Sequence, residues 1–244
     1  VKNILKKFNE DDEFYYWFRT KKEAQIIIKE KGEESGINFI TSRFNKIEKP
    51  NLKILFDLAN FYKNLKKYER AVEYYSKIIA MLDEESDMKS DLLYRRGGSY
   101  ERLKNFKKSD EDLINSMKLN PDDAYVLNYL AYSWLERDYK IDVAMKMLKK
   151  AHSIRSDDPY IIDSIGWAHY LINDFIEAEK YLRRAVELMP YDPIVNDHYG
   201  DILWKLNRKL QARYFWNNVL GFKDTDDDIK KKINIKLIEG LKNF

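Results

Sequence analysis

Three histidines, His152, His169 and His198, are the first residues that could do chemistry in this chain. His198 has Asp197 beside it and Asp201 within a helical turn, which are the residue types of a helix-borne metal site. No second histidine shares that face and the chain has no cysteine, so metal ligation is not expected. His169 takes the place that Tyr62, Tyr100 and Trp134 hold in a repeating pattern, and reads as core. No Gly-rich phosphate loop, no Gly-x-Ser-x-Gly and no His-Glu-x-x-His occurs. Carboxylates at helical spacing are spread along the chain, and a solvated helix face accounts for them. The expectation is a non-enzyme with no metal, no cofactor and no small-molecule substrate.

The charges exclude further classes. Among 244 residues, 44 are basic and 41 acidic, a formal net charge of +3. The basic runs Lys149-Lys150, Arg183-Arg184 and Lys230 to Lys232 are spread out and neighboured by acids. A nucleic-acid footprint would gather Lys and Arg on one face with stacking aromatics. RNA or DNA binding by a helical array therefore stands as the alternative reading. No apolar run is long enough for a transmembrane helix, and "VKNILKKFNE" has no signal-peptide core.

The elements that must position these residues show in "SIGWAHY", residues 164–170, where a glycine interrupts a helical pattern. Such a glycine costs about 1 kcal/mol relative to alanine. Periodicity supplies the reason. Ala24, Ala59, Gly97, Ala131, Gly166 and Gly200 follow one another at gaps of 35, 38, 34, 35 and 34. A second series of mostly small residues, Gly36, Ala71, Ser109, Ala144, Ala178 and Ala212, trails the first by 12 or 13. A fixed period in this range signals stacked helix pairs. Antiparallel helices with axes ~8–10 Å apart need small residues where they approach most closely. Apolar residues between the small ones, such as Leu55, Leu58 and Tyr62, or Leu182 and Trp216, make the core stripes. Pro121, Pro159, Pro190 and Pro193 fall at the joins.

These residues resemble the tetratricopeptide repeat family, whose pattern is W-x-x-L-G-x-x-Y, then A-x-x-x-F, then A, then P. Residues 159–192 carry it as Ile162, Ile165-Gly166, His169, Phe175, Ala178, Leu182, Ala185 and Pro190. The last three units look like a bacterial subfamily of such proteins. That likeness implies the periplasm or cell envelope, with the cytoplasm as the alternative. The resemblance implies an all-α, right-handed α-solenoid of about six helix-turn-helix units. Residues 1–16 read as an N-terminal helix or truncated repeat, and 17–51 as a degenerate repeat. Residues 52–89 form a repeat with a four-residue insertion, "SDMK". Repeats then follow at 90–123, 124–158, 159–192 and 193–224, with a capping helix over 225–244.

In this family the first helices line a concave groove. The residues so placed are Asn60, Arg95, Arg102, Asn128, Tyr132, Asp163, Trp167, Tyr170, Asp197, Asp201 and Trp204. For Tyr160, Tyr170 and Trp204, packing against the next first helix is an equal reading. The family's clamp for a C-terminal carboxylate is matched at Asn60 alone, because its Lys positions carry Phe56, Tyr94, Asn128 and Asp163. The expected function is a non-catalytic scaffold or adaptor that holds a protein or peptide in its groove. A purely structural assembly element is a weaker option. Arginines in the third unit and aspartates in the last two suggest a polarised groove. Basic partner residues would then lie towards the C-terminal units.

Overall fold

The computed structural model describes residues 13–83, 86, 88–223 and 225–241. The reading of "NILKKF" as the tail of a preceding helix lies outside them. Thirteen helices occur among the described residues: α1 (Glu13–Lys31), α2 (Glu33–Phe44), α3 (Leu52–Asn64), α4 (Tyr68–Ala80), α5 (Met88–Arg102), α6 (Phe106–Leu119), α7 (Ala124–Leu135), α8 (Ile141–Ile154), α9 (Pro159–Leu171), α10 (Phe175–Leu188), α11 (Pro193–Lys205), α12 (Lys209–Gly221) and α13 (Asp227–Glu239). They form two compact units, residues 1–112 and 113–244.

The same local chemistry starts and stops these helices. Asp123, Asp158 and Asp192 each accept two backbone N–H bonds from the first turn of α7, α9 and α11. Proline in the first turn of α9 and α11 loses no hydrogen bond there. Between first and second helices one turn recurs. Lys67, Asn105, Tyr139, Asp174 and Arg208 each donate a backbone N–H, at 2.9 Å, to the carbonyl five residues earlier. Before each donor stands a left-handed residue: Lys66, Lys104, Asp138, Asn173 and Asn207. This is a Schellman turn built without glycine. The α7–α8 turn is one residue longer, and Lys140 supplies a second left-handed position.

In the first unit α1 packs on α2, α3 on α4, and α4 on α5. Its core joins Trp17, Ala24, Ile40, Leu58, Ala59, Tyr75 and Ile78. In the second unit each helix from α7 to α12 packs on the next, and α13 closes the series against α12. First helices also meet one another, α7 with α9 and α9 with α11. Ile162, Ala178, Leu182, Tyr199, Ile202, Trp216 and Ile233 belong to that core. Each fully buried aliphatic side chain contributes about 1.5–3 kcal/mol. The glycine of "SIGWAHY" is explained here: a Cβ on Gly166 would lie 2.6 Å from Leu182 Cγ and 3.0 Å from the Leu182 backbone nitrogen. Gly200 stands equally close to the Trp216 indole.

Candidate functional site: the faces of the first helices

In the first unit, α3 and α5 bring Asn60 and Arg95 together. Asn60 Oδ1 accepts from the Tyr75 hydroxyl at 2.7 Å and from Arg95 Nη1 at 3.4 Å. Arg95 Nε donates to Asp91 Oδ2 at 2.7 Å, and its guanidinium lies 5.2 Å over the Phe56 ring. Arg102 is exposed, with its Nε 3.4 Å from the Glu101 carboxylate. Lys63, one turn after Asn60, completes a cluster that the sequence reading missed. It is half-buried, and its side chain makes no hydrogen bond or ion pair among the described residues. Burial holds its ammonium pKa down, and the cations of Arg95 and Arg102 lower it further, against Asp91. The available signal was spacing: Lys63 is three residues from Asn60 and shares its face.

The second unit departs from the expected groove. Asp163 and Asp201 are each only 5% exposed. Asp163 binds buried His198, Oδ2 to Nδ1 at 2.9 Å. Burial works against the imidazolium, but the charge and hydrogen bond of Asp163, with Asp197 and Asp201, push its pKa up to about 8. The Trp167 indole stacks 4.1 Å from the His198 ring and 4.6 Å from the Tyr170 ring, and donates to Glu136 at 3.1 Å. Tyr132 lies 6.3 Å from His198, with burial and Glu136 raising its hydroxyl pKa. Tyr170 is raised by burial and by Asp201. Asn128 is half-buried, and its Oδ1 has no hydrogen-bond partner.

Further along, α13 lays Lys236 between Asp197 and Asp201. Its Nζ donates to both oxygens of Asp201, at 2.7 and 2.8 Å, and to Asp197. Trp216 Nε1 also donates to Asp201, at 3.0 Å. Burial and the Asp197 charge nonetheless push Asp201 up to about 7. Trp204 is enclosed by the chain itself: Trp216 at 5.3 Å, Arg213 at 4.8 Å and Lys209 at 5.3 Å, with Gly240 against its ring.

The polarised groove is therefore corrected at its acidic end. Asp163, Asp197 and Asp201 are neutralised inside the unit, by His198 and Lys236. The stripe assigned to the groove is the stripe along which successive first helices pack, so its central carboxylates lie in the contacts of α9 with α11 and of α11 with α13. Of the two equal readings for Tyr160, exposure holds: it is 55% exposed. Among the described residues no group of His, Asp or Glu could hold a metal.

Comparison with known proteins places this architecture. The tetratricopeptide repeat family model matches residues 52–81, 90–123 and 161–192. Those three stretches match tetratricopeptide repeats, and the all-α fold is like that of the family's solenoids. It is similar to a TPR repeat-containing protein of Pseudomonas aeruginosa, at 35% identity over 111 residues. The match covers 46% of this chain and 19% of that protein, so the chain spans about a fifth of the relative's length. A tetratricopeptide repeat protein from Parabacteroides merdae has a similar structure, with TM-score 0.67 at 14% identity, over 91% of this chain and 87% of that one. A thermophilic TPR protein of Thermus thermophilus gives TM-score 0.64 at 16% identity, over 77% of this chain and all of that one. At such identities these two show the fold alone. Proteins of this kind are in general protein-interaction scaffolds without catalytic activity. Among the described residues no helix is long and apolar enough to cross a membrane.

Proposed function

We propose that the chain is a non-catalytic scaffold that binds a protein or peptide along its first helices, and that the face of α3 and α5 takes an acidic stretch of that partner. The observation that carries this reading is Lys63. A half-buried ammonium with two guanidinium neighbours, whose nearby carboxylate, Asp91, is bonded to Arg95, is a charge arrangement that a partner's carboxylate would relieve. Phe56 beneath Arg95 and the half-buried Tyr94 give that carboxylate an aromatic setting. Anchors of this type dominate binding free energy at protein interfaces.

The test is a titration of the intact chain with a fluorescein-labelled Glu-rich peptide, amidated or with a free C-terminus. Lys63→Gln with Arg102→Gln should weaken binding on the order of tenfold and flatten its salt dependence. Equal affinity of the two peptide forms assigns recognition to side-chain carboxylates; preference for the free form assigns it to the terminus. Binding that ignores the double substitution overturns this site. An oligonucleotide bound tightly and with sequence preference at moderate salt would overturn the protein-binding reading in favour of nucleic acid.

A further inference from the structure

The repeats provide their own comparison on the second helices. The position two residues before the small residue is Glu69, Lys107, Asp142, Ile176 and Leu210 in successive second helices from α4 to α12. The position two residues after it is Glu73, Glu111, Lys146, Lys180 and Tyr214. Charge is the default at both, and α12 departs at both. Leu210 is 85% exposed and Tyr214 63%. Asn217 and Gly221 continue the same stripe at helical spacing, and α12 contains no acidic residue. At the end of the stripe lies a cleft of about 540 Å³ lined by Tyr191, Asn217, Asn218, Gly221, Phe222 and Lys223. Exposed Tyr191 meets Phe222 edge-on at 6.1 Å.

We propose that this stripe of α12, with the cleft at its end, is a second docking surface, separate from the first helices, for an acidic amphipathic segment of a partner protein. Leu210 and Tyr214 supply apolar area in the i, i+4 register that reads a partner helix. Tyrosine, carboxamides and glycine bind protein surfaces without a fixed charge to desolvate. Exposed Lys209 flanks the stripe and Lys223 stands in the cleft, which complements acids on the partner. A second copy of the chain would set the same cations against each other. A bilayer would leave the carboxamides of Asn217 and Asn218 without the peptide groups that satisfy them.

The test uses the intact chain carrying Lys63→Gln and Arg102→Gln, so that the first-helix site is removed and the two readings fail separately. The probe is a labelled helical peptide with Leu or Phe every third or fourth residue and Glu between them; a twin with Lys for Glu controls for charge. Saturable binding of the acidic peptide alone is expected, weakened on the order of tenfold by Leu210→Ser with Tyr214→Ser. Both side chains are largely exposed, so the thermal melt should move little. Acidic-peptide binding indifferent to that pair of substitutions overturns the proposal, as does equal binding of the Lys twin. Co-sedimentation with phosphatidylglycerol-containing vesicles, without peptide binding, would make the surface a lipid contact. Self-association abolished by the same pair, again without peptide binding, would make it a contact between copies. Either result also overturns the proposal.

Discussion

Lys236→Met is the sharpest test of how the second unit is closed. The substitution keeps the aliphatic stem and removes the cation that stands between Asp197 and Asp201. The side chains of Lys236, Asp197 and Asp201 are 18%, 15% and 7% exposed. Breaking a buried pair by removing one partner costs about 3–5 kcal/mol. Two features cap the loss. Asp201, already pushed up to about 7, can retain a proton in place of the lost cation. Alternatively α13 can lift away, giving up Ile233, its one fully buried side chain, worth about 2–3 kcal/mol. The net expectation is a loss of about 2–4 kcal/mol at roughly pH 8, and less at roughly pH 5, where Asp201 is neutral. Thermal melts at both pH values measure this, as a drop on the order of 10 °C, and hydrogen exchange shows whether α13 opens first. Adding Asp197→Asn and Asp201→Asn should restore much of the loss. A single variant that melts like the parent at both pH values, or a triple variant no better than the single, would refute the reasoning.

His198 is raised from 6.5 to about 8 and Asp201 from 3.8 to about 7. Both raised groups stabilise the fold when protonated, fully so below their unfolded values. That stability is lost as pH rises through the folded ones, His198 alone accounting for about 2 kcal/mol. The melting temperature should therefore fall between about pH 6 and pH 9; a flat profile speaks against the buried network. Gly166→Ala and Ala178→Leu should each cost about 1–3 kcal/mol by overpacking, read as lower denaturant midpoints, and unchanged midpoints would undo the helix pairing. Lys63→Gln should raise the melting temperature slightly while weakening peptide binding, because it relieves repulsion from Arg95 and Arg102.

The fold was legible because repetition multiplies a weak signal. One small residue in a helix says little, but Gly166, Gly200 and their counterparts share a register, and Leu182 and Trp216 do lie against those two glycines. Caps were legible for a local reason: an Asp before a Pro at a helix start has one dominant structural use. The site was less legible because a helix stripe gives direction and not depth. Asp163 and Trp167 were placed on the right side of α9, yet nothing local says that α11 will bring His198 to both. Lys236 was beyond reach altogether: it is 35 residues from Asp201 and comes from a helix read only as an amphipathic cap. Lys63 was passed over as one lysine among many, and became notable only because its side chain makes no ion pair.

Charges on the first helices are either satisfied inside their unit or left at its surface, and this decides which residues can probe binding. In the second unit the aspartates, His198 and Lys236 satisfy one another, and Trp167 is held by His198 on one side and Tyr170 on the other. Changing any of them alters the packing of α9, α11 and α13 before it alters what a partner meets. A loss of partner capture by Trp167→Ala would therefore report a disturbed unit as readily as a lost contact. In the first unit Lys63 is only half-buried and Arg102 is exposed beside Glu101, and on α12 Leu210 and Tyr214 are largely exposed. Side chains outside the buried networks are the ones whose removal best isolates binding, and here they mark two surfaces, on different helices, that both suit an acidic partner.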